Sequence, residues 1–259
     1  MSRLGDAVRL SAGTFSAVPV PPPSRVDRPT AGIAVSIAPL AVLPVGALVA
    51  LVAWGAREVG LGALVIGALA IGAGAWATRG FHLDGLADTA DALASSYDRE
   101  RALTVARTGD VGPAGAATLV LVLLVQASAA GTVAVGWDFG PAAVGALWCL
   151  ARAAATVGLR RGVPPARQDG MGATFAGSVP STALVAVWLA ATLAGVAVTT
   201  LTGASVAQGV VTVLAALVVT LGLVAHVTRR LGGIIGDAMG ASIEVALAVL
   251  LIGFSAVIA

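Results

Sequence analysis

The stretch VAQGVVTVLAALVVTLGLVAHV, residues 206–227, runs for 22 residues without an Asp, Glu, Lys or Arg. A helix of about 17–25 mostly apolar residues crosses a bilayer, so this run reads as a membrane span. Open strands are excluded, because their backbone groups would find no partners in lipid. Six similar runs lie around it, at roughly 31–53, 61–78, 114–136, 141–159, 181–200 and 239–258. The whole chain has 259 residues, 58% hydrophobic and 11% charged, whereas about a quarter of a soluble domain is charged. The expected fold class is all-α, a polytopic transmembrane helical bundle with about seven spans, forming a single integral membrane domain over residues 1–259.

Charge placement orients this bundle. All 15 basic residues are arginines, and 13 of them fall in four segments around residues 3–28, 79–107, 160–167 and 229–230. With seven spans these segments emerge on one side, which the positive-inside rule makes cytoplasmic; the protein is thus expected in the plasma membrane. Arg57 falls in a loop on the other side, as do only two of the 13 acids, Glu58 and Asp138. Polar chemistry concentrated on the cytoplasmic face suits an enzyme acting on cytosolic substrates, whereas a transporter should also carry polar groups at mid-bilayer. The arginines form no stripe interleaved with aromatics, which argues against a nucleic-acid partner.

The first 30 residues, interrupted by charges and prolines, lack the continuous apolar core of a cleavable signal peptide. Residues 1–18 are mildly amphipathic and suit an interfacial helix, ended by Pro19, Pro21, Pro22 and Pro23. Pro39 and Pro44 predict a kink in the first span. The single cysteine, Cys149, rules out a disulfide within the chain and reads as a small core residue. A homo-oligomer is left open.

The longest polar connection, 79–113, contains GFHLDGLADTADAL, residues 80–93. If it is helical, Asp84, Asp88 and Asp91 at i, i+4 and i+7 share one face. Three like charges in a stripe repel, and no Lys or Arg stands at i+4 to offset them. A hard divalent cation with oxygen ligands is the economical counter-charge; magnesium in particular joins one or two carboxylates to substrate phosphates. The stripe therefore predicts phosphoryl-transfer or diphosphate chemistry, the alternative being a solvated helix face. His82 lies off that face and is a candidate general base or phosphate donor. A second short helix is expected over about 98–107, followed by a turn at Thr108–Pro113.

The stretch LGGIIGDAMGASIE, residues 231–244, places Asp237 and Glu244 seven apart, on one face of a helix starting near Asp237. Gly232 and Gly233 allow a close backbone approach. Together they suggest a second metal or substrate subsite, against the alternative of an N-terminal aspartate favouring the helix dipole. Arg152 is the lone arginine within an expected span. A buried charge there needs an anion or a partner carboxylate, and with Arg160, Arg161 and Arg167 it is placed to clamp phosphate oxygens.

GFHLDGLADTADAL, RERALTVARTGDVGPAG (99–115), DGMGATFAG (169–177) and RRLGGIIGDAMGASIE (229–244), in that order and preceded by LSAGTFSAVPV (10–20), resemble the cobalamin synthase family across essentially the whole chain. The resemblance implies adenosylcobinamide-GDP ribazoletransferase activity: α-ribazole or its 5'-phosphate attacks the cobinamide-side phosphorus of adenosylcobinamide-GDP, and GMP leaves, with Mg2+ required. It implies metal-ligand roles for Asp84, Asp88, Asp91, Asp237 and Glu244, and catalytic roles for Asp84, Asp88 and His82. Arg152, Arg107, Asp110, Gly232 and Gly233 are the expected substrate contacts. The chain departs from the family pattern at Thr108–Asp110, where relatives read Asp-Ser-Arg, at Ala90, where cysteine is frequent, and at Ile235, where a polar residue is expected. CDP-alcohol phosphotransferases and prenyl-transferring membrane enzymes also hold magnesium on helical aspartates, but DGLADTADAL lacks the AR pair of the former.

Overall fold

The computed structural model describes residues 2–95, 97–168 and 170–256. Its helices are α1 (Arg3–Phe15), α2 (Arg28–Ser36), α3 (Ala38–Ala41), α4 (Leu43–Glu58), α5 (Ala63–Ala77), α6 (Phe81–Ser95), α7 (Arg99–Val105), α8 (Pro113–Gly136), α9 (Gly140–Leu150), α10 (Ala155–Gly158), α11 (Gly170–Phe175), α12 (Ser181–Thr202), α13 (Val206–Leu231) and α14 (Asp237–Ser255). A 3₁₀ turn, Ala151–Ala154, joins α9 to α10, so that Gly140–Gly158 forms one span. Among the described residues no strand forms, only isolated parallel bridges at Arg160–Val179 and Pro165–Ile234. The all-α, multi-pass membrane bundle expected from the sequence is the fold.

The span count differs from seven. Among the described residues five spans are long and apolar enough to cross a bilayer, Pro113–Gly136, Gly140–Gly158, Ser181–Thr200, Val206–Leu231 and Asp237–Ser255, and six if the bent pair α5 and α6 counts as one. The two expected spans that fall short are the first two, and each has a physical reason. The run 31–53 is cut into α2, α3 and α4 at Ile37 and Val42, each cut placing a proline, Pro39 or Pro44, in the first turn of the next helix; a proline is tolerated there but cannot continue the helix before it. The run 61–78 becomes α5, whose 15 residues reach only about 22 Å. After α5 the chain bends by 93° into α6.

Small residues let the spans touch main chain to main chain, the packing expected where lipid supplies no hydrophobic drive between helices. A methyl group at Gly67 or Gly131 would collide with the facing backbone of α8 or α5, and one at Gly46 or Gly145 would do the same between α4 and α9, where Cys149 is packed in the core. Arg57, on the arginine-poor side, donates through Nη1 to the carbonyls of Ala134, Trp137 and Asp138 at 3.2, 2.7 and 3.3 Å, satisfying the carbonyl end of α8.

The amphipathic N-terminus forms α1, capped by Ser2. It is docked rather than loosely interfacial: Phe15 is fully buried, and Ala17 donates its backbone N–H to the Ala77 carbonyl at 2.6 Å. The proline segment folds back on α1 because the Asp6 carboxylate accepts from both the backbone N–H and the hydroxyl of Ser24.

Candidate active site

The site is positioned by the elbow between α5 and α6. Arg79 has φ 56°, the only positive φ at a non-glycine residue among those described, and Gly80 follows at φ 68°. Two successive left-handed residues reverse the chain within one turn, and the first carries a steric cost of about 1–2 kcal/mol. Because of this elbow α6 lies across the arginine-rich end of the bundle, where it meets the starts of α8 and α14 and the end of α13.

Two glycines fix how α6 and α14 meet. A methyl at Gly85 would stand 2.6 Å from the Asp237 carbonyl oxygen, and one at Gly240 would stand 2.8 Å from that of His82. The main chains are therefore in contact, and Asp84 and Asp88, on either side of Gly85 in the chain, sit beside Asp237 at the head of α14. The electrostatics confirm this grouping: burial, then the charges of Asp84, Asp237 and Asp91, push the Asp88 carboxyl up to about 6. Gly85→Ala is expected to force the two helices apart, costing about 1–3 kcal/mol of stability as an overpacked contact does. Thermal unfolding in detergent checks this, and an unchanged midpoint would disprove main-chain contact at this crossing.

Beside these carboxylates a cavity of about 700 Å³ opens between the N-terminal segment, the elbow and α6. Its polar lining includes Thr14, Ser16, Arg79 and Asp84, with Val111 and Leu119 forming an apolar wall. Arg79 is a functional candidate that sequence reasoning counted only toward topology, and the LSAGTFSAVPV segment, used there only for the resemblance, lines the cavity through Thr14 and Ser16. The available signal was an Arg-Gly pair between two helical runs, which marks a turn but not what the turn faces.

The other expected site residues divide. Asp91 is not free to serve as a third ligand in the stripe: its two carboxylate oxygens accept from the backbone N–H groups of Gly112 and Gly115, at 2.7 and 2.8 Å, so it caps the start of α8. Among the described residues no group of three or more His, Cys, Asp and Glu side chains is placed to hold a metal by itself. Glu244 is two helical turns deeper in α14 than Asp237 and 6% exposed; it accepts from Gln126 Nε2 at 2.9 Å and lies in the electrostatic field of Arg152.

Arg152 is a correction. It is 1% exposed, with its guanidinium 3.1 Å from the Trp148 ring centroid and one nitrogen donating to the Trp148 carbonyl. With Gln126 and Glu244 it lines a cavity of only about 10 Å³ and does not border the cavity beside the carboxylates, and the carboxylate whose charge reaches it is Glu244. His82 is also corrected. It is 1% exposed between the rings of Phe15 and Phe81, at 5.9 and 6.0 Å, and neither ring nitrogen has a partner. Burial, helped by the nearby Arg152 charge, holds its pKa well below the ordinary value, so it is a neutral packing residue and not a base facing the cavity.

Gly232 and Gly233 also have structural explanations. Gly232 ends α13 at φ 70° with the Arg99 guanidinium packed over it, and Gly233 lies against the backbone of Pro165 and Ala166. There Ala166 N–H donates to Ile234 and Ile234 N–H to Pro164, at 2.9 and 2.8 Å. Ile235 is buried. Asp110 is exposed and lines a separate hollow of about 410 Å³ with Asp91, and Arg107 is exposed on the turn after α7. Val111 borders both hollows, so the loop carrying Asp110 divides them. Asp169, in the third motif, lies outside the described residues.

Comparison with known proteins identifies the family. The sequence profile described as cobalamin-5-phosphate synthase matches residues 7–255. A Nocardioides sp. protein named adenosylcobinamide-GDP ribazoletransferase is 43% identical, covering 97% of this chain and 99% of its own length. Proteins of the same name from Frankia casuarinae and Roseiflexus sp. are 33% and 32% identical, covering 92% and 94% of this chain and 90% and 85% of their own. No solved structure matches the chain. A match that runs through the N-terminal segment, the α6 carboxylates and the head of α14 alike means that this chain belongs to the cobalamin-5-phosphate synthase family.

Proposed function

We propose that the protein is a membrane-bound adenosylcobinamide-GDP ribazoletransferase, joining α-ribazole or its 5'-phosphate to adenosylcobinamide-GDP with release of GMP, late in cobalamin biosynthesis. The observation that carries this is the gathering of Asp84, Asp88 and Asp237 beside a cavity of about 700 Å³, a volume suited to a sizeable organic ligand. A ribazole hydroxyl forms the new P–O bond on the cobinamide-side phosphorus, the diphosphate P–O bond to GMP breaks, and the hydroxyl proton is given up. The site is proposed to face the cytoplasm, on the side where 13 of the 15 arginines cluster.

Magnesium fits these residues. The donors are carboxylate oxygens alone, they crowd one another, and a magnesium ion takes one or two carboxylates with waters and substrate phosphates, so no three-residue cage is needed. Asp84 and Asp88 would hold it, with Asp237 alongside; when bound, it neutralises charge on the diphosphate oxygens. Meanwhile Asp84 fixes the polar end of the cavity, Val111 and Leu119 give it an apolar wall, and the Gly85 crossing keeps the carboxylates in place.

Purified full-length protein in detergent should release GMP from adenosylcobinamide-GDP only when both magnesium and ribazole phosphate are present. Corrinoid binding without release at any magnesium concentration would overturn the assignment. At limiting magnesium, release should fall as pH drops through about 6, because protonation of Asp88 removes the charged form that binds the metal. Saturating magnesium should move that fall to lower pH.

A further inference from the structure

A second hollow, of about 500 Å³, opens at the same end of the bundle, between α2 and the start of α12, and its lining includes Arg3, Arg28, Arg161, Ser36 and Ser178. The positive-inside rule explains why arginines lie on this side, but not why three of them, from the start of α1, the start of α2 and the loop after α10, border one cavity. Among the described residues no acid lines it. Asp27 is 3.7 Å from Arg3 and 4.0 Å from Arg25, and among the described residues neither Arg28 nor Arg161 has an ion-pair partner.

The hollow is a built feature. A methyl at Gly32 would collide with the Ser178 carbonyl, so α2 and the turn before α12 are in main-chain contact. Arg161 is held beside that turn because its N–H donates to Val179 at 2.9 Å, and Val179 N–H donates to Leu159 at 3.0 Å. Ser178 is 6% exposed, and its hydroxyl has no hydrogen-bond partner. A buried hydroxyl with its hydrogen bond unmade is unfavourable, and a phosphate oxygen brought in beside the guanidinium groups would accept it.

The surroundings indicate where that phosphate comes from. Both α2 and α12 run from the arginine-rich end into the apolar bundle. α12, which begins at the hollow, leaves Val185, Leu189 and Leu193 exposed at 57, 61 and 72%, an apolar strip on the side of the helix away from Ala183, suited to lipid contact. A ligand that fits both parts has an anionic phosphate head and hydrocarbon tails, and basic pockets between helices at the membrane surface are suited to such headgroups. We propose that the hollow lined by Arg3, Arg28, Arg161 and Ser178 binds the phosphate of an anionic phospholipid in the leaflet on the arginine-rich side.

The test uses full-length protein delipidated in neutral detergent and titrated with short-chain phosphatidylglycerol, short-chain phosphatidylcholine or inorganic phosphate, with binding read by native mass spectrometry and thermal shift. Phosphatidylglycerol alone should bind saturably and raise the melting temperature. Arg28→Gln with Arg161→Gln should weaken that binding by roughly 10- to 30-fold, while Arg229→Gln, on the same side but outside the hollow, should not. Ser178→Ala, which changes one atom of a buried side chain, should weaken it less. Both arginines are exposed, so the double variant should fold. Equal binding of phosphatidylcholine, equal binding of inorganic phosphate, or full phosphatidylglycerol binding by the double variant would each overturn the proposal.

Discussion

Asp84→Asn is expected to lower magnesium-dependent GMP release by about 10²–10³-fold or more, the usual cost of removing one group that stabilises transition-state charge. The side chain keeps its shape and loses its charge, and Asp84 is exposed at the cavity edge, so membrane insertion and helix content should be unchanged. Asp88→Asn should act in the same direction. Asp91→Asn should behave differently: an amide can accept only through one oxygen, whereas the carboxylate accepts from Gly112 and Gly115 through both, so its main effect should be lost stability at the start of α8. Turnover assays paired with melting curves separate the two classes. Near-normal release by Asp84→Asn would remove the metal role assigned to it.

The second large effect is in the interior. Glu244→Leu should destabilise the protein by about 3–5 kcal/mol, because it leaves the buried Arg152 guanidinium without its counter-charge. Arg152→Met alone should cost a similar amount by stranding Glu244. Together, Arg152→Met and Glu244→Leu should recover most of the loss, since two apolar side chains of similar volume replace two desolvated opposite charges with little penalty. The double variant also separates two roles for Arg152. If the residue is structural, the repaired protein turns over; if it clamps substrate phosphate, the repaired protein is stable and inactive.

Much of the fold was legible because lipid makes hydropathy decisive. The runs at 114–136, 141–159, 181–200, 206–227 and 239–258 all became spans, since every backbone group in such a run must pair within its own helix. Hydropathy could not show that Pro39 and Pro44 cut the first run into pieces or that α5 stops short, because both depend on local backbone geometry and not on apolarity. The helical face of Asp84 and Asp88 followed from the 3.6-residue period, and the helices on both sides of Ser95 and Asp98 formed as the spacing suggested; Ser96 itself lies outside the described residues. Sequence spacing put Asp91 in the same stripe, but it could not show that the start of α8 would fold back to occupy that carboxylate. Asp237 and Glu244 share a helical face as their spacing required, yet they are about 10 Å apart along the axis and serve different neighbourhoods. His82 misled for a simpler reason. Histidine suits catalysis near neutral pH, and only the docking of Phe15 shows that this one is sealed.

The Arg152–Glu244 pair also bears on the order in which the molecule can be completed. Glu244 follows Arg152 by 92 residues, counting from 152 to 244, and so leaves the ribosome roughly 5–20 s later at about 5–20 residues per second. During that interval the α9–α10 span carries a guanidinium whose carboxylate does not yet exist, a charge that a lone helix holds in lipid only by drawing water or headgroups towards it. Arrival of α14 releases that water and brings Asp237 to α6 in the same movement. α14, made after both α6 and α9, is thus the helix that both supplies the interior carboxylate and finishes the carboxylate cluster, so an assembly intermediate lacking it has neither.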